Sequence, residues 1–448
     1  MAPCVHPQSA RWAVPNKGRS HNFMEYTKVK KYLLGAALAL TMAASATAET
    51  TITVHYSYPD LVRPVHDRIA AKLMADNPDI KVKFKAATPE YNAGMQLLLR
   101  GAVTGDLPDV TFPGINWQRT VIERNLAQPI NDLIAAEADW SARGYSQALE
   151  DVTTFGGKVY GLPLAISTPV IFYNAELIKR AGGDPTKLPT TWDEAFALAA
   201  KIDALGDDIM GMHLSHYGGT WFWQSLITSQ GASIMNAKET ALAFDGDAGL
   251  NALKLYDRAM KEGGMVYMGF GDAKKAFNAG KLGFYVNSTA QIGRSLKDIG
   301  SRFELLTGKH PLPGGRDKGR LAAGGNVGMI LSTDEKKKKA AFEYIKLAAS
   351  AWGSTVTVTE TGYMPVNKNA ADDPTFLKEF YEKNPIYTTT LDQLDIITAW
   401  YAFPGENGLK AYKAIHDNVV AVLTGEATPE AAHKKMTADV RALLQLTN

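Results

Sequence analysis

Apolar and polar positions alternate along Thr51-Ile52-Thr53-Val54-His55-Tyr56, which predicts a strand. Val65, Ile69 and Leu73 then recur at fourfold spacing, a helix that stops at Asn77-Pro78. Ile80-Lys81-Val82-Lys83-Phe84 alternates again. Strand, helix and strand in such close succession read as a βαβ unit with parallel strands and a right-handed crossover. A helical stretch around Met95–Val103 leads to a third predicted strand, Asp109-Val110-Thr111-Phe112.

Further on, Thr191-Trp192-Asp193-Glu194 is a capping box opening a helix that would bury Ala195, Ala199 and Ile202. Ser332-Thr333-Asp334-Glu335 repeats the device before Ala340–Ala349. Thr428-Pro429-Glu430 opens a last helix with Ala432, Met436, Val440 and Leu444 on one face. Helices interleaved with strands predict α/β architecture. No internal repeat is visible, and Lys336–Lys339, just inside a helix, reads as a solvated face.

A chain of 448 residues suggests two or three domains, and a 46% hydrophobic content excludes wholesale disorder. The formal charge of +2 conceals an imbalance. Residues 1–48 hold six basic side chains (Arg11, Lys17, Arg19, Lys28, Lys30, Lys31) and one acid, Glu25. Setting those aside leaves 42 of the 48 bases and 45 of the 46 acids, a net charge of −3. So mildly acidic a body has no bulk electrostatic attraction to nucleic acid or anionic lipid.

From Met24 the order is basic (Lys28, Lys30, Lys31), apolar (Tyr32–Met42), then small residues ending Ala46-Thr47-Ala48. That is a secretory signal over about 24–48, with cleavage expected after Ala48. The apolar run is too short for a spanning helix. The lone cysteine, Cys4, falls in the segment to be removed, so the mature chain is expected to hold no disulfide. The expected location is the periplasm.

In open α/β sheets ligands collect beyond the carboxyl ends of the strands. That rule selects the loops His55–Tyr58, Ala87–Tyr91 and Pro113–Trp117, each with polar or aromatic residues beside Pro or Gly. A second concentration is His216-Tyr217-Gly218-Gly219-Thr220-Trp221-Phe222-Trp223, where Tyr217 or Trp221 could stack on a sugar ring. Asn287-Ser288-Thr289 follows a strand-like run, and Gly324-Gly325-Asn326 precedes another. Paired glycines let backbone N–H groups approach a ligand oxygen, and they equally suit a turn. There is no P-loop, G-x-S-x-G, H-E-x-x-H or dinucleotide fingerprint. His213 and His216 lack a third ligand at sensible spacing, so neither metal nor cofactor is expected.

Ser167-Thr168-Pro169-Val170-Ile171-Phe172-Tyr173-Asn174, continued through Gly183-Asp184-Pro185 to the capping box, resembles the signature of family 1 extracellular solute-binding proteins of ABC importers. Thr361-Gly362-Tyr363-Met364-Pro365-Val366 and Phe380-Tyr381-Glu382-Lys383-Asn384-Pro385 are most similar to its glycerol-3-phosphate-binding subgroup. The resemblance implies a two-lobe periplasmic-binding-protein fold (type II-like, Venus-flytrap) with mostly parallel sheets flanked by helices. Its expected lobes are 49–163 with about 289–335, and about 164–288 with about 336–448. It also implies a monomer that clamps a small solute and hands it to membrane permease subunits.

Carried over position by position, the resemblance assigns Ser167, Ser288, Gly325 and Tyr363 to the ligand, and places Tyr56 and Ser57 beside the family's His-Ser pair. This sequence departs from the subgroup at three points. The subgroup's ligand tyrosine corresponds to Pro89, followed by the retained Glu90; its ligand acid falls at Ile115, beside Asn116; its arginine falls at Phe403 or Pro404. Loss of a guanidinium removes the bidentate partner for a phosphate. The expected site is therefore Tyr56, Ser57, Glu90, Asn116, Ser167, Tyr217, Trp221, Ser288, Gly324, Gly325, Asn326 and Tyr363, holding a sugar, polyol or glycerol-3-phosphate-like compound without catalysis. The competing reading is a secreted carbohydrate-active hydrolase with paired carboxylates.

Overall fold

In the computed structural model, which describes residues 49–145, 147–216 and 220–446, the first alternating segment is strand β1 (Thr50–His55), with Ile52 and Val54 fully buried. Helix α1 (Pro59–Asp76) buries the fourfold row Val65, Ile69 and Leu73. Strand β2 (Ile80–Phe84) then returns parallel to β1, with Thr50 opposite Ile80. Helix α2 (Tyr91–Thr104) leads to β3 (Val110–Thr111), parallel to β1 on its other side. A one-turn 3-10 segment, Ile115–Trp117, runs into helix α3 (Gln118–Glu123). Residues 1–48, expected to carry the export signal and Cys4, lie outside the described residues; the compact unit begins at Glu49.

Strands β4 (Gly161–Ser167) and β5 (Pro169–Asn174) are fully buried and separated by Thr168 alone, yet they belong to different sheets. Next come helix α4 (Trp192–Asp203), strand β6 (Met210–His213), and helices α5 (Trp221–Thr228) and α6 (Asp247–Lys261). Both hydrogen bonds of the Thr191–Glu194 capping box on α4 are formed. Strands β7 (Leu282–Ser288), β8 (Leu305–Gly308) and β9 (Leu321–Ile330) follow, then helices α7 (Glu335–Ala348) and α8 (Ala351–Thr361). Strand β10 (Ile397–Ala399) and helices α9 (Gly408–Leu423) and α10 (Pro429–Leu444) complete the chain.

The first sheet has the order β10-β9-β3-β1-β2, with β4 also paired to β9; the second is β8-β5-β7-β6. The two-lobe α/β expectation needs one adjustment: both sheets are mixed. β9 runs antiparallel to β3 and β4, and β5 runs antiparallel to β7 and β8. Parallel pairing needs a crossover of a dozen residues or more. The strands that enter from the other sheet, such as β5 after its one-residue link, are free of that constraint.

Segments after residue 288 distribute as follows. β8 pairs with β5 in the second sheet. Helices α7 and α8 lie against α1 of the first: Tyr344 Oη and His66 Nδ1 are 2.9 Å apart, and Arg68 donates to Glu360 at 2.7 Å. Two local expectations also change. Asp334 rather than Ser332 caps α7, accepting from the N–H groups of Lys336 and Lys337. Gly324-Gly325-Asn326 is not a turn before a strand but the middle of β9, with a register shift after Asn326.

Candidate ligand-binding site

The carboxyl ends of β1 and β4 in the first sheet and of β7 in the second face a cavity of about 200 Å³. Tyr58, in the left-handed region at φ 58°, opens α1 and packs edge-on to Tyr91, the first residue of α2, with centroids 4.9 Å apart. Tyr91 is set by its neighbour: the Glu90 carboxylate accepts from the N–H groups of Asn92 and Ala93 at 2.8 and 2.7 Å, capping α2. Behind Tyr91, Asn326 Nδ2 donates to its hydroxyl at 3.2 Å. The Tyr91 hydroxyl is hydrogen-bonded to that of Tyr363, whose pKa burial pushes up to about 12. Both phenols stay neutral at any ordinary pH.

The glycine pair forms the floor. A Cβ at Gly324 would stand 2.7 Å from Ser167 Oγ and 3.1 Å from the Trp221 indole, so its hydrogen leaves room for both side chains beside the ligand space. Gly325 sits at φ +115°, and a Cβ there would overlap the Ala165 carbonyl oxygen of the paired strand β4. Trp221 begins α5 and donates its Nε1 to the Ala322 carbonyl at 2.8 Å, which locks the indole over the floor. Opposite, Ser288 ends β7; its Oγ accepts from Ala290 N–H at 3.2 Å. Asn287 Oδ1 accepts from Ser288 N–H at 2.7 Å.

Six of the expected residues (Ser167, Trp221, Ser288, Gly324, Gly325 and Tyr363) line this one cavity. Ser57 is 3% exposed, its Oγ spent on Thr88 Oγ1 at 2.8 Å, and Glu90 is spent as a helix cap. Tyr56 is a core residue stacked on His66 at 4.2 Å, because it takes the inward place just beyond the strand end. Asn116 and Asn326 are buried close behind Tyr91, each with an unpartnered Oδ1. Neither lines the cavity. Tyr217 lies outside the described residues.

Tyr58, Tyr91 and Asn287, which fall in the segments singled out in the sequence but were not among the twelve expected residues, also line the cavity, as do Phe270, Gln291 and Trp400, which no sequence feature singles out. Tyr58 and Tyr91 end loops that the strand-end rule selects, and Asn287 opens the segment that follows a strand-like run. Trp400 follows the last strand and lines the cavity, and its Nε1 is buried without a partner. None of the lining residues is Asp, Glu, Lys, Arg or His. The site therefore offers aromatic faces and neutral hydroxyl, amide and indole groups. His213 and His216 rings stand 5.6 Å apart elsewhere, and among the described residues no group of three metal-binding side chains gathers.

Residues 58–352 match the family described as bacterial extracellular solute-binding protein. The sn-glycerol-3-phosphate-binding periplasmic protein UgpB of Escherichia coli K12 is 25% identical over 430 residues, spanning 88% of this chain and 93% of that protein. Among solved structures, UgpB from Mycobacterium tuberculosis in complex with glycerophosphocholine superposes with a TM-score of 0.79 at 20% identity, over 89% of this chain and 99% of that one. The cyclic alpha-maltosyl-1,6-maltose binding protein from Arthrobacter globiformis gives 0.75 at 22% identity, over 89% and 100%. At such identities the structural likeness establishes the two-lobe fold.

Proposed function

Because the chain belongs to the bacterial extracellular solute-binding protein family, we propose that it is the periplasmic capture component of an ABC importer for an uncharged hydroxylated solute, a sugar or polyol. The observation that carries this reading is the neutral, aromatic lining of the cavity between the two sheets. Aromatic faces of Trp221, Trp400 and Tyr58 suit the apolar face of a sugar ring, and Ser167, Ser288, Asn287 and Gln291 suit its hydroxyls. A phosphate would be stripped of water with no guanidinium or ammonium to replace it. Phe403, at one of the two positions matching the subgroup's arginine, is instead buried against Tyr401 and Tyr412.

Residues around Thr168, between β4 of the first sheet and β5 of the second, would act as a hinge. There Gln393 Nε2 donates to Thr168 Oγ1 at 2.6 Å, and Met364 N–H donates to Ile166 O at 2.8 Å. The first lobe would then comprise about 49–167 and 324–366, the second about 169–320, 368–396 and 400–446, with the start of β9 (321–323) and its partner β10 crossing between them. A solute touching both lobes stabilises closure by its differential affinity. The mature chain would begin at Glu49 and act as a monomer that presents its closed form to permease subunits. A hydrolase would need two carboxylates flanking the bond, and the lining holds none.

The test is a thermal-shift and calorimetry screen over neutral mono- and disaccharides, polyols, glycerol 3-phosphate and glycerophosphocholine. A ligand at 100 times its Kd adds about 2.7 kcal/mol of stability and is recovered intact. Binding confined to the phosphorylated compounds would overturn the uncharged-solute reading. Turnover of a saccharide would overturn the binding-protein reading.

A further inference from the structure

The strap from Ile397 to Gly405 carries Trp400 into the cavity and is tied from four directions. Gln224, one turn along α5 from Trp221, reads both backbone groups of Tyr401: Tyr401 N–H donates to Oε1 at 2.9 Å, and Nε2 donates to Tyr401 O at 3.1 Å. Tyr412 Oη on α9 donates to the same carbonyl at 2.7 Å. Tyr401 Oη donates to Glu239 Oε1 at 2.7 Å. Gly405 N–H points at Glu123 Oε2 at 3.4 Å.

Glu239 stands at the centre of this arrangement. Arg119 on α3 forks onto its two oxygens at 2.5 and 2.7 Å, while Arg119 Nε donates to Glu123 at 2.6 Å. The pair is mostly sheltered, with side-chain exposures of 19% and 33%. Its hydrogen bonds hold the Glu239 carboxyl below the usual carboxylate range, Arg119 contributing most. The two partners come from opposite sides of the cleft. α3 follows β3 of the first sheet. The turn of Glu239 leads into α6, whose Tyr256 and Arg258 contact Ser215 after β6 and Asp193 at the start of α4, on the second sheet's side. Glu239 itself is held in the left-handed region at φ 54°, a strained backbone for a residue with a Cβ.

We propose that Glu239 is a positioning residue: its carboxylate latches the two lobes to each other through Arg119 and, through Tyr401, sets Trp400 against the ligand. The latch acts without solute, so the empty protein is biased toward closure and Trp400 is placed before the ligand arrives. The bidentate geometry aligns the lobes in one register, which a single point contact between charges would not do. The proposal rests on the solute-binding reading for its purpose but not for its test.

Small-angle scattering and iodide quenching of tryptophan fluorescence, both on ligand-free protein, compare wild type with Glu239→Gln, Arg119→Gln and Tyr401→Phe. Loss of a charged hydrogen-bonding partner shifts the open-to-closed ratio by roughly 10- to 100-fold. Glu239→Gln and Arg119→Gln are therefore expected to enlarge the radius of gyration and raise quenching, with far-ultraviolet dichroism unchanged. Tyr401→Phe, which frees only the strap, raises quenching while leaving the radius at its wild-type value. Scattering profiles of both latch variants that superimpose on wild type overturn the proposal. If Glu239→Gln does not fold, Arg119→Gln decides by the same criterion. A protein that binds no solute would sink the function above and leave these ligand-free results standing.

Discussion

Adjacent glycines at 324 and 325 separate ligand contact from folding, and alanine at each position should fail in a different way. At Gly324 the new methyl would land 2.7 Å from Ser167 Oγ and 3.1 Å from Cε2 and Nε1 of Trp221. Those neighbours are side chains, and the Gly324 φ lies outside the left-handed region. Ser167 can turn away, so the fold survives while one ligand hydrogen bond and the space beside the indole are lost. That costs on the order of 1–3 kcal/mol of binding, roughly a 5- to 150-fold weaker Kd. At Gly325 the same methyl would meet the backbone oxygen of Ala165, at φ +115°. Neither the clash nor the dihedral can be relieved without opening the β4–β9 ladder. The expected cost is about 2–4 kcal/mol of folding stability, from left-handed strain plus displaced pairing. Calorimetry with the best neutral solute of the panel and scanning calorimetry of the free protein read the two effects. Gly324→Ala should bind weakly and melt within a degree or two of wild type; Gly325→Ala should melt several degrees lower. Wild-type affinity for Gly324→Ala would refute the placement of the ligand between Ser167 and Trp221.

Ser288→Ala should lower affinity and also cost about 1 kcal/mol of stability, since Ser288 caps the turn at Thr289–Gln291; chemical denaturation separates the two, and unchanged stability would count against the cap. Burial holds His55, His66, His213 and His310 neutral, lowering their pKa values to about 4, 3, 3 and 4. The unfolded histidines titrate near 6.5, so between about pH 6.5 and 4 the unfolded state binds more protons and stability falls on acidification. The slope is up to roughly 1.4 kcal/mol per pH unit for each, and a Tm that stays level from pH 7 to 5 would contradict it. Trp400→Ala should weaken binding by removing an aromatic wall of the cavity, and an unaltered Kd would show that the ligand does not touch it. Intact mass of the exported protein should correspond to a chain starting at Glu49, and a mass retaining Ala48 or earlier residues would disprove that cleavage point.

Local physics was legible in the residue order. The period-two run at Ile52 and Val54, the fourfold row on α1 and the Thr191 capping box act over a few residues, and each appears where its pattern places it. The apolar burial of β5 and the neutrality left by losing an arginine near Phe403 are likewise written in side-chain type. What the order of residues could not express is how distant segments meet. The glycine pair looked equally like a turn, and only its pairing with Ser167 and Ile166 of β4 makes it a strand. Tyr56 and Asn326 have suitable chemistry, but packing turns the first into the core and puts the second behind Tyr91. Trp400 reaches the cavity because Gln224, far away in sequence, holds the next residue by both backbone groups. Hydrophobic period and capping are set by neighbours along the chain. Membership of the cavity is set by which side of each strand end remains uncovered, and that is decided only when the two sheets and the strap between them have closed around it.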